Sequence, residues 1–111
     1  VIKNINKKTI LVSKYKVGQN FLDKTFGLLI SSNPRSMLFK TRFGIHTFFM
    51  KESIDLIVLD KKNRVVGFKI NVRPNRIFLW NPQFDTILEL PSGTVKKSKT
   101  EIGDTLSFIL V

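Results

Sequence analysis

His46-Thr-Phe-Phe-Met-Lys-Glu-Ser-Ile-Asp-Leu-Ile-Val-Leu-Asp60 carries the strongest structural signal in the chain. Its second half, Leu56-Ile57-Val58-Leu59, is a continuous apolar run of strand length. The polar tetrad Asp60-Lys61-Lys62-Asn63 follows, and β character resumes over 64–70 as Arg-Val-Val-Gly-Phe-Lys-Ile. Two β-rich runs around a short polar connection predict a hairpin. The first half holds the only histidine of the chain. A polar cluster entering a core strand can build a site or cap a turn.

Outward from that hairpin, strand signals dominate. Thr9–Ser13 is apolar and β-branched, Thr86–Leu90 is a strand stopped by Pro91, and 105–111 is a last strand entered through Gly103-Asp104. Met37-Leu38-Phe39 and Thr47-Phe48-Phe49 are shorter candidates. Helix signals are few. Phe21, Leu22, Thr25, Phe26, Leu28 and Leu29 fit a helical period, with Asn20 as cap, and Ser92–Lys97 can make a turn or two. The expected class is mainly β (α+β): a small antiparallel β-barrel or strongly curled sheet with one or two short helices.

The chain has 111 residues, the size of one domain, and 1–111 is read as a single domain. It contains no cysteine, so disulfides, thiol catalysis and zinc–thiolate or iron–sulfur centres are excluded. That composition favours a reducing cytoplasm, while a secreted mature form that has lost a leader stays open. No apolar run approaches the roughly 20 residues of a membrane span. Nineteen Lys and Arg face eight Asp and Glu, a net charge of +11. Residues 1–22 and 61–84 hold no acid, and Lys96, Lys97 and Lys99 form a third basic group. Such a field attracts an anionic ligand, nucleic acid among the candidates, although a lysine-rich solvated surface explains the same excess. Oligomeric state is left open.

The stretch 46–60 resembles the domain-of-unknown-function 192 family, which shows His-Thr-Phe-x-Met-Arg-Phe-Pro-Ile-Asp before an apolar strand ending in Asp. His46, Thr47, Phe48, Met50, Ile54, Asp55 and Asp60 match it. Leu88-Glu-Leu-Pro-Ser-Gly-Thr94 is similar to that family's Leu-Glu-Leu-Pro-Ala-Gly-Thr, and Gly27-Leu28-Leu29, Met37-Leu38-Phe39, Arg73-Pro74 and Gly103-Asp104 also have counterparts in order. The resemblance implies a compact β-rich fold and no established reaction. Lys51-Glu52-Ser53 replaces the family's Arg-Phe-Pro, and the missing proline should loosen the turn before Asp55.

The candidate site gathers His46, Thr47, Asp55 and Glu89, with Arg73 and Trp80 as further ligand-binding candidates. Catalytic candidates are His46, Asp55 and Glu89, because a carboxylate near an imidazole supports general acid–base chemistry. One histidine and two carboxylates could hold a divalent ion, but no short metal-ligand spacing, Gly-rich phosphate loop or nucleophile elbow is present, and neither metal nor cofactor is expected. Each residue also has a structural reading. Asp55 can accept backbone N–H bonds in a turn. Glu89 faces solvent if Leu88 and Leu90 are core, or needs a partner such as Arg73 or Lys51 if it points inward. Phe78, Trp80 and Phe84 fit a lid over a barrel mouth better than an exposed aromatic–basic patch. Three functions are therefore carried forward: a binding module for an anionic ligand or polyanion, favoured over the other two; an acid–base hydrolase or lyase using His46 with Asp55 or Glu89; and a protein-interaction domain built on those three aromatics.

Overall fold

A computed structural model describes residues 1–17, 36–40, 45–46 and 52–109. The Phe21–Leu29 helix and the Thr47–Phe49 strand expected from the sequence lie outside these residues. The hairpin is present as β6 (Ile54–Leu59) and β7 (Val65–Val72), paired antiparallel. Its turn is organised by Asp60, whose carboxylate accepts the N–H groups of Lys62 at 2.8 Å and Arg64 at 2.9 Å and the Arg64 Nε–H at 2.9 Å. Asn63 sits at φ 62°, a left-handed conformation that asparagine tolerates better than most residues.

All six residues of β6 are buried. A strand of that kind needs cover on both faces, which explains a continuous apolar run rather than an alternating one. Strand β9 (Thr86–Pro91) pairs antiparallel along the other side of β6 and on its far edge with β4 (Met37–Lys40), and β3 (Lys16–Val17) adds to β4 in parallel. The resulting five-stranded order is β3-β4-β9-β6-β7. Strand β9 runs one residue further than expected, with Pro91 opposite Ile54 at its end.

Two core clusters lie on opposite faces of this sheet. On one face, Ile57, Leu59, Leu88 and Leu90 meet Ile2, Leu11 and Leu106 from a three-stranded sheet, together with Val95 from the short helix α1 (Thr94–Ser98). The three-stranded order is β10-β1-β2, from β1 (Ile2–Asn4), β2 (Thr9–Val12) and β10 (Leu106–Phe108). On the other face, Met37, Ile54, Leu56, Val58, Val72 and Ile87 pack against the half-buried Phe78, Trp80 and Phe84. Here β5 (Ile45–His46) and β8 (Ile77–Phe78) form a two-stranded ladder. The class is therefore α+β and mainly β, as expected. The barrel alternative is corrected: among the described residues the sheets are open and stacked, with no ladder joining β3 to β7. Stacked layers bury the apolar faces that closure would otherwise enclose.

A polar network that the sequence does not announce ties the first hairpin to the segment before β10. The fully buried Asn4 donates its amide to Thr100 Oγ1 at 3.1 Å and to Asp104 Oδ2 at 2.9 Å, and its own Oδ1 accepts the Lys7 N–H at 3.0 Å. Asp104 also accepts the Glu101 N–H at 2.9 Å and the Lys7 ammonium at 3.0 Å. Ser98 and Thr100 share a hydroxyl hydrogen bond of 2.7 Å, and Thr9 donates to the Ser98 carbonyl at 2.7 Å. Burial alone would push the Asp104 carboxyl up. The Asn4 amide, the Glu101 N–H and the Lys7 ammonium outweigh it and hold Asp104 below its ordinary 3.8. Contact with Glu101, then Asp104, raises the Lys7 ammonium above 10.5.

A carboxyl held low in the folded state stabilises fully above its unfolded value and loses that contribution as pH falls through the folded value. Asp104→Asn should therefore flatten the acid limb of stability below pH 3.8 and lower neutral-pH stability by about 1–3 kcal/mol. Asp60 is also held low, chiefly by the Arg64 N–H, so some acid dependence should remain. Urea unfolding at stepped pH checks this, and an unchanged acid limb would rule out Asp104 as a contributor.

Candidate functional site

Asp55 is fully buried in β6, and both of its oxygens are engaged by backbone. Oδ1 accepts the Asn71 N–H at 2.9 Å, while Oδ2 accepts the N–H groups of Gly93 at 3.1 Å and Val95 at 2.9 Å. One carboxylate thus holds three places together. Asn71 stands at φ 52° where the β6–β7 register slips, so Asp55 pins a bulge in β7. Gly93 stands at φ 95° at the start of α1, a conformation open to glycine and costly for residues with a Cβ. Ser92 Oγ closes the arrangement by donating to Asn71 Oδ1 at 3.0 Å. The geometry is that of a chain clamp, and it leaves Asp55 poorly placed to take a proton from a substrate.

Glu89 is fully buried as well, but on the other face. In the antiparallel ladder Asp55 stands opposite Leu90 and Leu56 opposite Glu89. Cross-strand partners share a face and sequence neighbours do not. Asp55 therefore faces the three-stranded sheet and α1, while Glu89 faces the cluster of Met37, Leu56 and Ile87. The expected convergence of the two carboxylates is corrected, since a sheet separates them. The alternation argument for an exposed Glu89 fails too, because both faces of β9 are covered.

The remaining candidates divide further. The backbone of His46 pairs with Ile77 in the β5–β8 ladder. The His46 side chain and Thr47 lie outside the described residues. Trp80 is half-buried, donates its indole N–H to the Phe84 carbonyl at 2.8 Å and lies 5.6 Å from the Phe78 ring. Those three aromatics pack half-buried on the second core cluster rather than over a barrel mouth, and this reduces the apolar patch on which the adaptor reading was built.

Arg73 is exposed and lines a cavity of ≈ 390 Å³ with Lys69, Asn71, Val72, Arg76, Ile77 and Phe78. Three cations and no carboxylate stand among these lining residues. Lys69 was legible only as part of the acid-free stretch 61–84, and Arg76 also as the basic neighbour of Phe78 and Trp80. Their meeting across the β7 bulge and the turn at Pro74-Asn75 was not. A larger cavity, ≈ 880 Å³, runs along Ile10–Lys16 with Ser36 and Pro91 and contains none of the candidate residues. Among the described residues no three His, Asp or Glu side chains converge as a metal site would require, and no helix is long and apolar enough to cross a membrane.

The chain belongs to the domain-of-unknown-function 192 family, described as Uncharacterized ACR, whose model matches residues 1–108. The UPF0127 protein of Pyrococcus abyssi is 34% identical over 98% of this chain and 97% of its own length. The UPF0127 protein of Pyrococcus horikoshii is 31% identical over 97% of this chain and 98% of its own. Among solved structures, a Novosphingobium aromaticivorans protein of unknown function superimposes with a TM-score of 0.72 at 15% identity, over 83% of this chain and 72% of that one. A Sinorhizobium meliloti protein provisionally assigned as a transcription regulator superimposes with a TM-score of 0.67 at 19% identity, over 82% of this chain and 78% of that one. At those identities the likeness is one of fold alone.

Asp55→Ala leaves three N–H donors, that of Val95 buried and those of Asn71 and Gly93 partly so, to find new partners. The expected loss is about 3 kcal/mol or more in urea unfolding. A loss under about 1 kcal/mol would mean that water or neighbouring groups replace the carboxylate without difficulty.

Proposed function

We propose that this chain is a binding module for an anionic ligand, and that the ligand's charged groups enter the groove of Lys69, Arg73 and Arg76. The observation that carries this is the composition of the groove: three cationic side chains and the Asn71 amide around one cavity, with no acid among the lining residues. Cations lining a concave surface add their fields, and a concave setting concentrates a potential that attracts anions. Arginine presents forked donors that match phosphate or carboxylate oxygens two at a time. The position supports the same reading. The Asp55 clamp fixes the bulge at Asn71, and Arg73 follows two residues later, so the groove grows from a rigid part of the sheet. Of the ligand-binding candidates this keeps Arg73, sets aside Asp55, Trp80 and Glu89, and adds Lys69, Asn71 and Arg76. His46 adjoins the groove through the pairing of its backbone with Ile77.

The acid–base alternative loses its geometric basis for Asp55, whose oxygens are occupied, and for any joint action of Asp55 with Glu89.

The test uses a short single-stranded oligonucleotide as a generic polyanion, with affinity followed against salt. The chain should bind at low salt and weaken steeply as salt rises. Replacing Lys69, Arg73 and Arg76 by Gln together should reduce the slope of log K against log salt by about 2, from about 0.7 per neutralised phosphate. The charge-matched replacement of Lys96, Lys97 and Lys99 should change it far less. Absence of binding at low salt, or equal effects of the two triple replacements, would overturn the groove as the site.

A further inference from the structure

Residues 77–80 alternate in a way that bears on which anion this face meets. Phe78 and Trp80 turn inward onto the second core cluster, while Ile77 and Leu79 turn outward at 65% and 70% exposure. Single exposed aliphatic residues are common and need no explanation. Here two stand on one side of one short segment, and Ile77 also lines the groove of Lys69, Arg73 and Arg76.

We infer that this face docks the protein on an anionic phospholipid surface, with the three cations on the headgroup phosphates and carboxylates and with Ile77 and Leu79 entering the boundary between headgroups and acyl chains. The inference rests on the groove being an anion site and names the surface that supplies the anion. Two observations favour lipid over a single nucleic-acid strand. Bases are held by stacking on open aromatic faces. The aromatics of this segment are committed to the core and to each other, Trp80 through its N–H on the Phe84 carbonyl. The side chains left outside are aliphatic, and aliphatic groups gain free energy on leaving water for the acyl boundary. The charge is complementary over a wider area: 61–84 carries no acid, and the whole chain stands at +11. Basic residues near an anionic leaflet each add about 1 kcal/mol, or about fivefold in affinity, which makes three cations and two aliphatic contacts sufficient for reversible attachment.

The full chain would be sedimented with vesicles of phosphatidylcholine alone and of phosphatidylcholine mixed with phosphatidylserine. Trp80, the only tryptophan and the neighbour of Leu79, reports insertion by its emission and by quenching with brominated lipid. Binding is expected only with phosphatidylserine, with Trp80 quenched. Exchange of Lys69, Arg73 and Arg76 for Gln should weaken it on the order of a hundredfold, from about fivefold each. Leu79→Asn changes an exposed side chain outside the groove, so the fold and oligonucleotide binding should stay intact while vesicle binding falls about fivefold or more. If the wild type binds oligonucleotide but ignores phosphatidylserine vesicles, the lipid inference is overturned and the anion site stands. If it binds neither, both fail. If Leu79→Asn binds vesicles as tightly as the wild type, aliphatic entry is refuted.

Discussion

Three backbone N–H groups on one buried carboxylate hold the architecture together. Asp55 reaches from β6 to the bulge of β7 on one side and to the turn between β9 and α1 on the other. Remove it, and the bulge, the left-handed Gly93 and the start of α1 lose a common anchor. The two core clusters depend on the same point, because Val95 of α1 and Val72 at the end of β7 are buried in different clusters on opposite faces. A buried carboxylate is costly unless its lone pairs are occupied, and here backbone donors from two other segments occupy them.

The central sheet imposes the second constraint. Because β6 and the middle of β9 are covered on both faces, every side chain there must be accommodated in a core, whether or not it is apolar. Asp55 and Glu89 are both swallowed this way, on opposite sides. Polar residues that look in sequence like members of one cluster are thus divided by a layer of backbone. The groove proposed for the anion lies where the sheet ends, at the β7 edge beside the β5–β8 ladder, and its described lining is cationic and aliphatic.

The family relationship and the charge distribution meet at this edge. Membership covers residues 1–108, which includes the clamp, the groove and the Asn4–Asp104 network alike. The clamp joins Asp55 and Gly93, one from each of the two sequence blocks that resemble the family's motifs. A motif that looks like an active-site signature can therefore mark a fold, since a turn held at positive φ by a buried acid restricts residue choice as tightly as chemistry does.

Sequence alone determined the local matters. The β6–β7 hairpin, its Asp60–Asn63 turn, the strands at Thr9, Met37, Thr86 and Leu106, the short helix near Thr94 and the mainly β class follow from apolar runs and turn residues, which act over a few neighbours. The basic, acid-free stretch was legible in the same way. Only tertiary structure decided what depends on register and layering. One residue of offset along β6 and β9 sends a side chain to the opposite face. That offset put Asp55 among backbone donors and Glu89 in the other core. Tertiary packing elsewhere gathered Lys69, Arg73 and Arg76 around a bulge, turned Trp80 inward with Leu79 outward, and buried Asn4 against Asp104 across 100 residues of chain. Composition counts such groups; pairing and burial set which of them meet.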